Sequence, residues 1–245
     1  MPRRARMHSN SGYYHIVSRG IGKQILFECT EDYVKLLDTL KKCAAEENVR
    51  VIAYCLMENH FHLLLHTDSG LDRIMKRIAI RYAYYYNTKY ERSGHLFQDR
   101  YKSEPINDER YLLAVVRYIH NNPQKAGICL REEYPWSSWQ EYMGEANLIS
   151  KDPIMDIMGS KENFESFSES NEKVECLEIS GKRCMPDNTA KEIIQKVLHL
   201  NSGTMIQAMN REERDAALRK LKDNGLSIRQ IERLTGINRG VVQRA

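Results

Sequence analysis

The sequence predicts an α+β domain followed by a small all-α domain, and three observations carry that reading. Short extended apolar runs alternate with longer stretches of helical periodicity up to about residue 122, in the order strand, helix, strand, strand, helix, strand, helix. After Tyr142 the chain turns acidic and serine-rich, with apolar residues thinly spread. From about Thr189 onward only helical patterns remain, arranged around a glycine turn. The expected organisation is a domain over residues 1–143, an acidic flexible linker over 144–188 and a helical domain over 189–245.

The first strand is Tyr13 to Ser18. A helix follows from about Thr30 to Glu47, its apolar face set by Tyr33, Leu36, Leu37, Leu40 and Ala44. Val51 to Met57 and Phe61 to His66 form a hairpin through a tight turn at Glu58-Asn59. A second long helix runs from about Leu71 to Lys89, and a short extended piece covers Lys102 to Ile106. Asp108 then caps a helix in which Leu112, Val115, Val116 and Ile119 share one face, and Pro123 ends it near Asn122. The early order βαββαβ is that of the ferredoxin-like split βαβ arrangement. In the linker a short helix is expected around Pro153 to Met158.

Composition narrows the class. The net charge of +4 conceals a balance of +4 over residues 1–143, −5 over 144–189 and +5 over 190–245, so two basic modules flank an acidic connector. Basic modules suit phosphate backbones. No apolar run approaches the roughly 18 residues that span a bilayer, and the basic N-terminus lacks an apolar stretch behind it, so a cytoplasmic protein without membrane partners is expected. The six cysteines include no Cys-x-x-Cys pair and are scattered irregularly, which argues against a zinc ribbon or a secreted disulfide scaffold.

The chemistry concentrates in two segments. In His60-Phe61-His62, strand alternation puts both imidazoles on one face and Phe61 on the other, giving half of a divalent-metal site. In Tyr118-Ile119-His120-Asn121-Asn122, the phenol and the amide of Asn122 are one helical turn apart. Taken alone, each has an ordinary structural reading as core and helix-end residues. Together they would place two imidazoles, an amide oxygen and a nucleophilic hydroxyl around one point. A metal neutralises phosphodiester charge, and a tyrosine that attacks phosphorus keeps the product covalently bound for rejoining. His8, His15, His66, His95, His120 and His199 need no function; His120 points away from Tyr118 on the helix, and His66 lies far along the strand.

Five motifs in order, Tyr14-His15-Ile16-Val17-Ser18-Arg19-Gly20, Met57-Glu58-Asn59-His60-Phe61-His62-Leu63, Ser93-Gly94-His95-Leu96-Phe97-Gln98-Asp99-Arg100-Tyr101, Tyr118-Ile119-His120-Asn121-Asn122-Pro123 and Tyr134-Pro135-Trp136-Ser137-Ser138, resemble the REP-associated tyrosine transposases of the HUH single-strand endonuclease superfamily. The resemblance is collinear over about residues 12–143. It implies an antiparallel sheet with helices on one face. It further implies His60, His62 and Asn122 as ligands of Mg²⁺ or Mn²⁺, and Tyr118 as the nucleophile. The substrate implied is single-stranded or hairpin DNA, cut and rejoined beside hairpin elements through a 5′-phosphotyrosine. Glu58 stands where the family often has proline, a departure in the turn rather than in the site.

Further candidates come from the residues. In the second long helix Ile74, Ile78, Tyr82 and Tyr85 make a core stripe, leaving Arg73, Lys76, Arg77 and Arg81 as phosphate-facing candidates. Arg100 and Lys102 are secondary ones. In the last module Asn210 caps a helix through Asn224, and Ile228, Ile231 and Leu234 precede the Gly236 turn, with Ile237, Val241 and Val242 after it. That spacing is a helix-turn-helix, with Asn238, Arg239, Gln243 and Arg244 as candidate contacts to duplex DNA. Two other classes share these features: a non-cutting DNA-binding regulator, and a hydrolase using metal-bound water. The protein is expected to act as a monomer or a homodimer.

Overall fold

The computed structural model describes residues 7–170, 176–177, 187–200 and 202–245. Four antiparallel strands, β1 (Tyr13–Arg19), β2 (Arg50–Met57), β3 (His60–His66) and β4 (Lys102–Ile106), form one sheet in the order β2-β3-β1-β4. Helix α1 (Thr30–Glu46) links β1 to β2, and α2 (Leu71–Lys89) links β3 to β4, as the βαββαβ pattern predicts. The hairpin register pairs Met57 with His60 and Leu56 with Phe61, so the turn is Glu58-Asn59. Gly20 closes β1 because a Cβ there would collide with the carbonyl oxygen of Gln24.

The expectation of helices on one face is corrected. Helices α1 and α2 cover the Phe61 face, where Phe61 meets Phe97 and Phe97 meets Tyr82 of α2. Helix α3 (Glu109–His120) covers the opposite face, with Tyr118 against His62. The physical reason lies in the strands: β3 is buried from Phe61 through Leu65 and β1 from Tyr14 through Ser18, so both faces need a cover. Strand β4 is shorter, more exposed and carries Pro105, as befits a sheet edge.

The other edge, β2, is closed by chain that follows α3. After α4 (Asn122–Lys125), the Trp136 carbonyl accepts from Leu56 N–H at 2.8 Å, and Ser138 N–H donates to the Tyr54 carbonyl at 3.0 Å. Tyr134 and Tyr142 hydroxyls donate to the Leu56 and Ile52 carbonyls at 2.6 and 3.0 Å. The Tyr-Pro-Trp-Ser-Ser motif is thus a strap that satisfies an otherwise open strand edge.

The segment read as an acidic linker contains the expected helix near Pro153 and one more. Its first half folds onto the domain as α6 (Asp152–Met158) and α7 (Lys161–Glu169), beyond the short α5 (Trp139–Met143). Ile154 and Phe164 are fully buried. Phe164 stacks on Tyr142 with centroids 4.7 Å apart and lies 6.0 Å from His120 of α3. Few apolar residues suffice here because Phe164 completes an aromatic cluster begun by Trp139 and Tyr142. The second half of that segment falls largely outside the described residues.

The C-terminal helices α8 (Asp187–Leu198), α9 (Arg211–Asp223), α10 (Ile228–Thr235) and α11 (Arg239–Arg244) surround a separate core of Ile194, Ile206, Leu218, Leu221, Ile231 and Val242. Asn210 caps α9 as the sequence predicts, and Ser227 caps α10. Gly236 ends α10 at φ 71°, where a side chain would also strike the Gln207 amide. Replacing Phe164 by Ala should destabilise the N-terminal core by about 3–5 kcal/mol. Urea unfolding checks this, since a side chain on a free tether would leave the midpoint unchanged.

Candidate active site

The sheet register assembles the site before any long-range contact is considered. His60 and His62 alternate on β3; Arg19, Val17 and His15 lie across from His60, His62 and Leu64 on β1; Val17 and His15 in turn oppose Lys102 and Glu104 on β4. All these side chains emerge on the face that α3 covers. The His60 and His62 rings lie 5.1 Å apart at 77° to one another. Tyr118 presents its ring edge-on at 5.4 Å from His62 and 5.7 Å from His15. Asn122 begins α4, one turn beyond Tyr118, and its side-chain N–H₂ donates to the Tyr118 carbonyl at 2.9 Å. That bond engages the amide nitrogen, and the amide oxygen keeps its lone pairs.

Each imidazole is oriented by a second partner. Nδ1 of His60 lies 2.8 Å from Oδ1 of Asn59, an acceptor, so His60 carries its proton on Nδ1 and keeps the Nε2 lone pair. Nδ1 of His62 lies 3.1 Å from Nε2 of His15. Burial, reinforced by the Arg19 guanidinium, pushes His60 down to about 4. Burial drives His62 well below its ordinary value, with His60, His15 and Lys125 adding to the effect. His15 falls to about 3 through burial alone. Neutral imidazoles are the state that binds metals. Among the described residues no group of three His, Cys, Asp or Glu side chains is placed to hold a metal ion. A metal here would therefore take its third protein donor from the Asn122 amide oxygen, and two imidazoles with an amide oxygen suit a divalent cation that also keeps waters.

Sequence reasoning missed His15, Arg19 and Lys125. The Lys125 ammonium sits 4.8 Å over the Tyr118 ring. Its spacing of seven from Tyr118 is helical, but the break at Asn121 hid the shared face. His15 and Arg19 become visible only once the register of β1 against β3 is known.

The expected DNA contacts divide. Arg73 bonds Glu47 at 2.8 Å, Arg77 bonds Glu46 and Glu47 at 2.7 and 2.6 Å, and Arg81 bonds Glu46 at 3.0 Å. These three tie α2 to α1 and stand on the Phe61 side, away from Tyr118. Lys76 and Arg100 line a cleft of about 760 Å³ with Asp72, Phe97 and Tyr101, also away from Tyr118. Lys102 is exposed on the His62 face. In the C-terminal core Arg239, Gln243 and Arg244 are exposed, whereas the Asn238 side chain is taken up capping α11 through Gly240 N–H at 2.9 Å.

The buried histidines set a pH dependence. His15 and His120 hold folded values of about 3, and His60 about 4, against an ordinary 6.5. Below pH 6.5 the unfolded chain binds protons that the native chain refuses, so stability falls with pH. The expected loss approaches about 1.4 kcal/mol per pH unit for each such histidine, beginning near pH 6.5 and levelling as the folded values are passed. Urea midpoints between pH 7.5 and 4.5 measure it; a flat profile would mean that these rings are solvated.

Comparison with known proteins agrees with this fold. Residues 8–122 match the model of the family described as Transposase IS200 like. A REP-associated tyrosine transposase, solved bound to a REP hairpin, shares the fold with a TM-score of 0.52 and 17% identity, covering 62% of this chain and 90% of its own. A putative transposase from Deinococcus radiodurans R1 is 18% identical with a TM-score of 0.35, over 49% of this chain and 97% of its own. No curated protein matches the chain. The βαββαβ sheet and the paired histidines lie within the span, residues 8–122, that is similar to the IS200-like transposase family.

Proposed function

We propose that the protein is a metal-dependent single-stranded DNA strand transferase that cuts and rejoins DNA beside hairpin elements through a phosphotyrosine. The observation that carries this reading is the Tyr118 ring 5.4 Å from His62 across one sheet face, with Asn122 one helical turn beyond Tyr118. His60, His62 and Asn122 would hold Mg²⁺ or Mn²⁺. When bound, that cation supplies positive charge that neutralises the phosphodiester and draws density from its phosphorus.

The rest belongs to the chain. The Tyr118 hydroxyl loses its proton and its oxygen attacks phosphorus. The tyrosyl O–P bond forms, the P–O3′ bond breaks, and the leaving oxygen takes up a proton to become a 3′-hydroxyl. Tyr118 then bears the 5′-phosphate. Attack by a second 3′-hydroxyl reverses the step and joins two strands with no other energy source. The Lys125 ammonium over the Tyr118 ring favours the developing phenolate. Single-stranded DNA beside a hairpin is proposed as substrate because the fold is shared with a transposase solved on a REP hairpin. The exposed Lys102 on the His62 face suits its backbone. Duplex DNA is assigned to α11, where Arg239, Gln243 and Arg244 are exposed after the three-residue turn Gly236-Ile237-Asn238.

Labelled hairpin-flanked single strands incubated with Mn²⁺ and resolved on a denaturing protein gel test the reading. A protein–DNA adduct is expected, absent in Tyr118→Phe and reduced at least about 100-fold in His60→Ala. Cleavage without an adduct would instead make water the nucleophile, and binding without cleavage would make the protein a regulator. Lys125→Ala should slow adduct formation about tenfold, corresponding to about 1.4 kcal/mol of transition-state stabilisation. A single-turnover time course measures it, and an unchanged rate removes Lys125 from the chemistry.

A further inference from the structure

The His15 ring is fully buried, yet it sits between two polar groups that give its two nitrogens different tasks. Nε2 lies 3.1 Å from Nδ1 of His62, and Nδ1 lies 4.0 Å from Oε2 of Glu104 and has no hydrogen-bond partner. Glu104 faces His15 directly across the β1–β4 register and is held there by the Tyr111 hydroxyl of α3, which donates to Oε2 at 2.8 Å. The Leu177 N–H donates to the same oxygen at 3.2 Å.

A neutral imidazole carries one proton, so the direction of the His15–His62 bond decides which nitrogen of His62 is left with a lone pair. If His15 donates from Nε2, His62 accepts at Nδ1 and bears its own proton on Nε2, where no cation can bind. If His15 keeps its proton on Nδ1, its Nε2 accepts from His62 Nδ1–H, and the Nε2 of His62 is free. The carboxylate of Glu104 is an acceptor only and stands on the Nδ1 side of His15, so it selects the second arrangement.

We propose that Glu104 and His15 form a relay that fixes the tautomer of His62, with both acting as positioning residues for the metal ligand. The inference rests on the metal-dependent reading above and deepens it: a carboxylate–histidine–histidine line sets which atom of His62 faces the cation. His60 has its own, local version of the same device in Asn59 Oδ1. The two ligands therefore reach the same protonation pattern by separate routes, one inside the turn and one across three strands.

Two measurements on the full chain test this. In ¹⁵N-histidine NMR of the metal-free protein, His62 is expected as the Nδ1–H tautomer. Glu104→Ala and His15→Phe should move it toward Nε2–H, while His15→Gln, whose side-chain oxygen can accept from His62, should restore the wild-type pattern in part. Mn²⁺ titration by calorimetry should show binding weakened about 10–100-fold in Glu104→Ala and His15→Phe. Glu104 is partly exposed at the sheet edge, so Glu104→Ala stays informative if His15→Phe fails to fold. An Nε2–H tautomer in the wild type, or Mn²⁺ affinity unchanged in Glu104→Ala, overturns the relay. The expected tautomer in a wild type that binds no Mn²⁺ at all would instead defeat the metal reading itself, and with it the relay's role in holding a cation.

Discussion

A strand buried on both faces cannot stand at the surface of a two-layer fold, and β3 is such a strand. Leu63, Leu64 and Leu65 all leave water although they point alternately up and down. One side is covered by α1 and α2, and the other demands a third helix. Because that third helix is α3, the hydrophobic requirement of β3 brings Tyr118 down onto His62. The polar groups at the site are therefore positioned by apolar burial, and the rigid close packing around them limits how far the rings can swing.

The same burial shapes the electrostatics. Imidazoles enclosed between sheet and helix lose the option of carrying charge, so under the proposed reading they would offer lone pairs to a cation, with Arg19 and Lys125 as the nearby positive groups. Arg73, Arg77 and Arg81 also link α1 to α2 through Glu46 and Glu47, because an exposed helix pair satisfies its charges with whatever lies within reach.

Much of this was legible in the residues. The element order, the hairpin turn at Glu58-Asn59 and the caps at Asp108 and Asn210 followed from local rules. The alternation of His60 and His62 placed them on one face, and the one-turn spacing placed Asn122 beneath Tyr118. What escaped were features set by register and packing. His15 reads as an ordinary strand histidine until β1 is aligned with β3. The strap at Tyr134 to Ser138 carries no strand signature, since it contributes only scattered bonds to an edge. The acidic segment showed α6 but hid α7, because an aromatic cluster recruits that helix through a single Phe164, below what composition reveals. Even the cover on both faces was implicit: the unbroken Leu63-Leu64-Leu65 run is not the alternation of a half-solvated sheet.

The strap and α7 also impose an order on synthesis. A nascent chain that has emerged through residue 125 already contains His60, His62, Tyr118 and Asn122, yet the β2 edge is still open and α3 lacks the aromatic floor that Phe164 supplies. Helix α3 acquires its full packing only after some forty further residues appear, as the positions of Lys125 and Phe164 imply. The domain thus carries the proposed ligands and nucleophile through translation before the packing that seats them is complete.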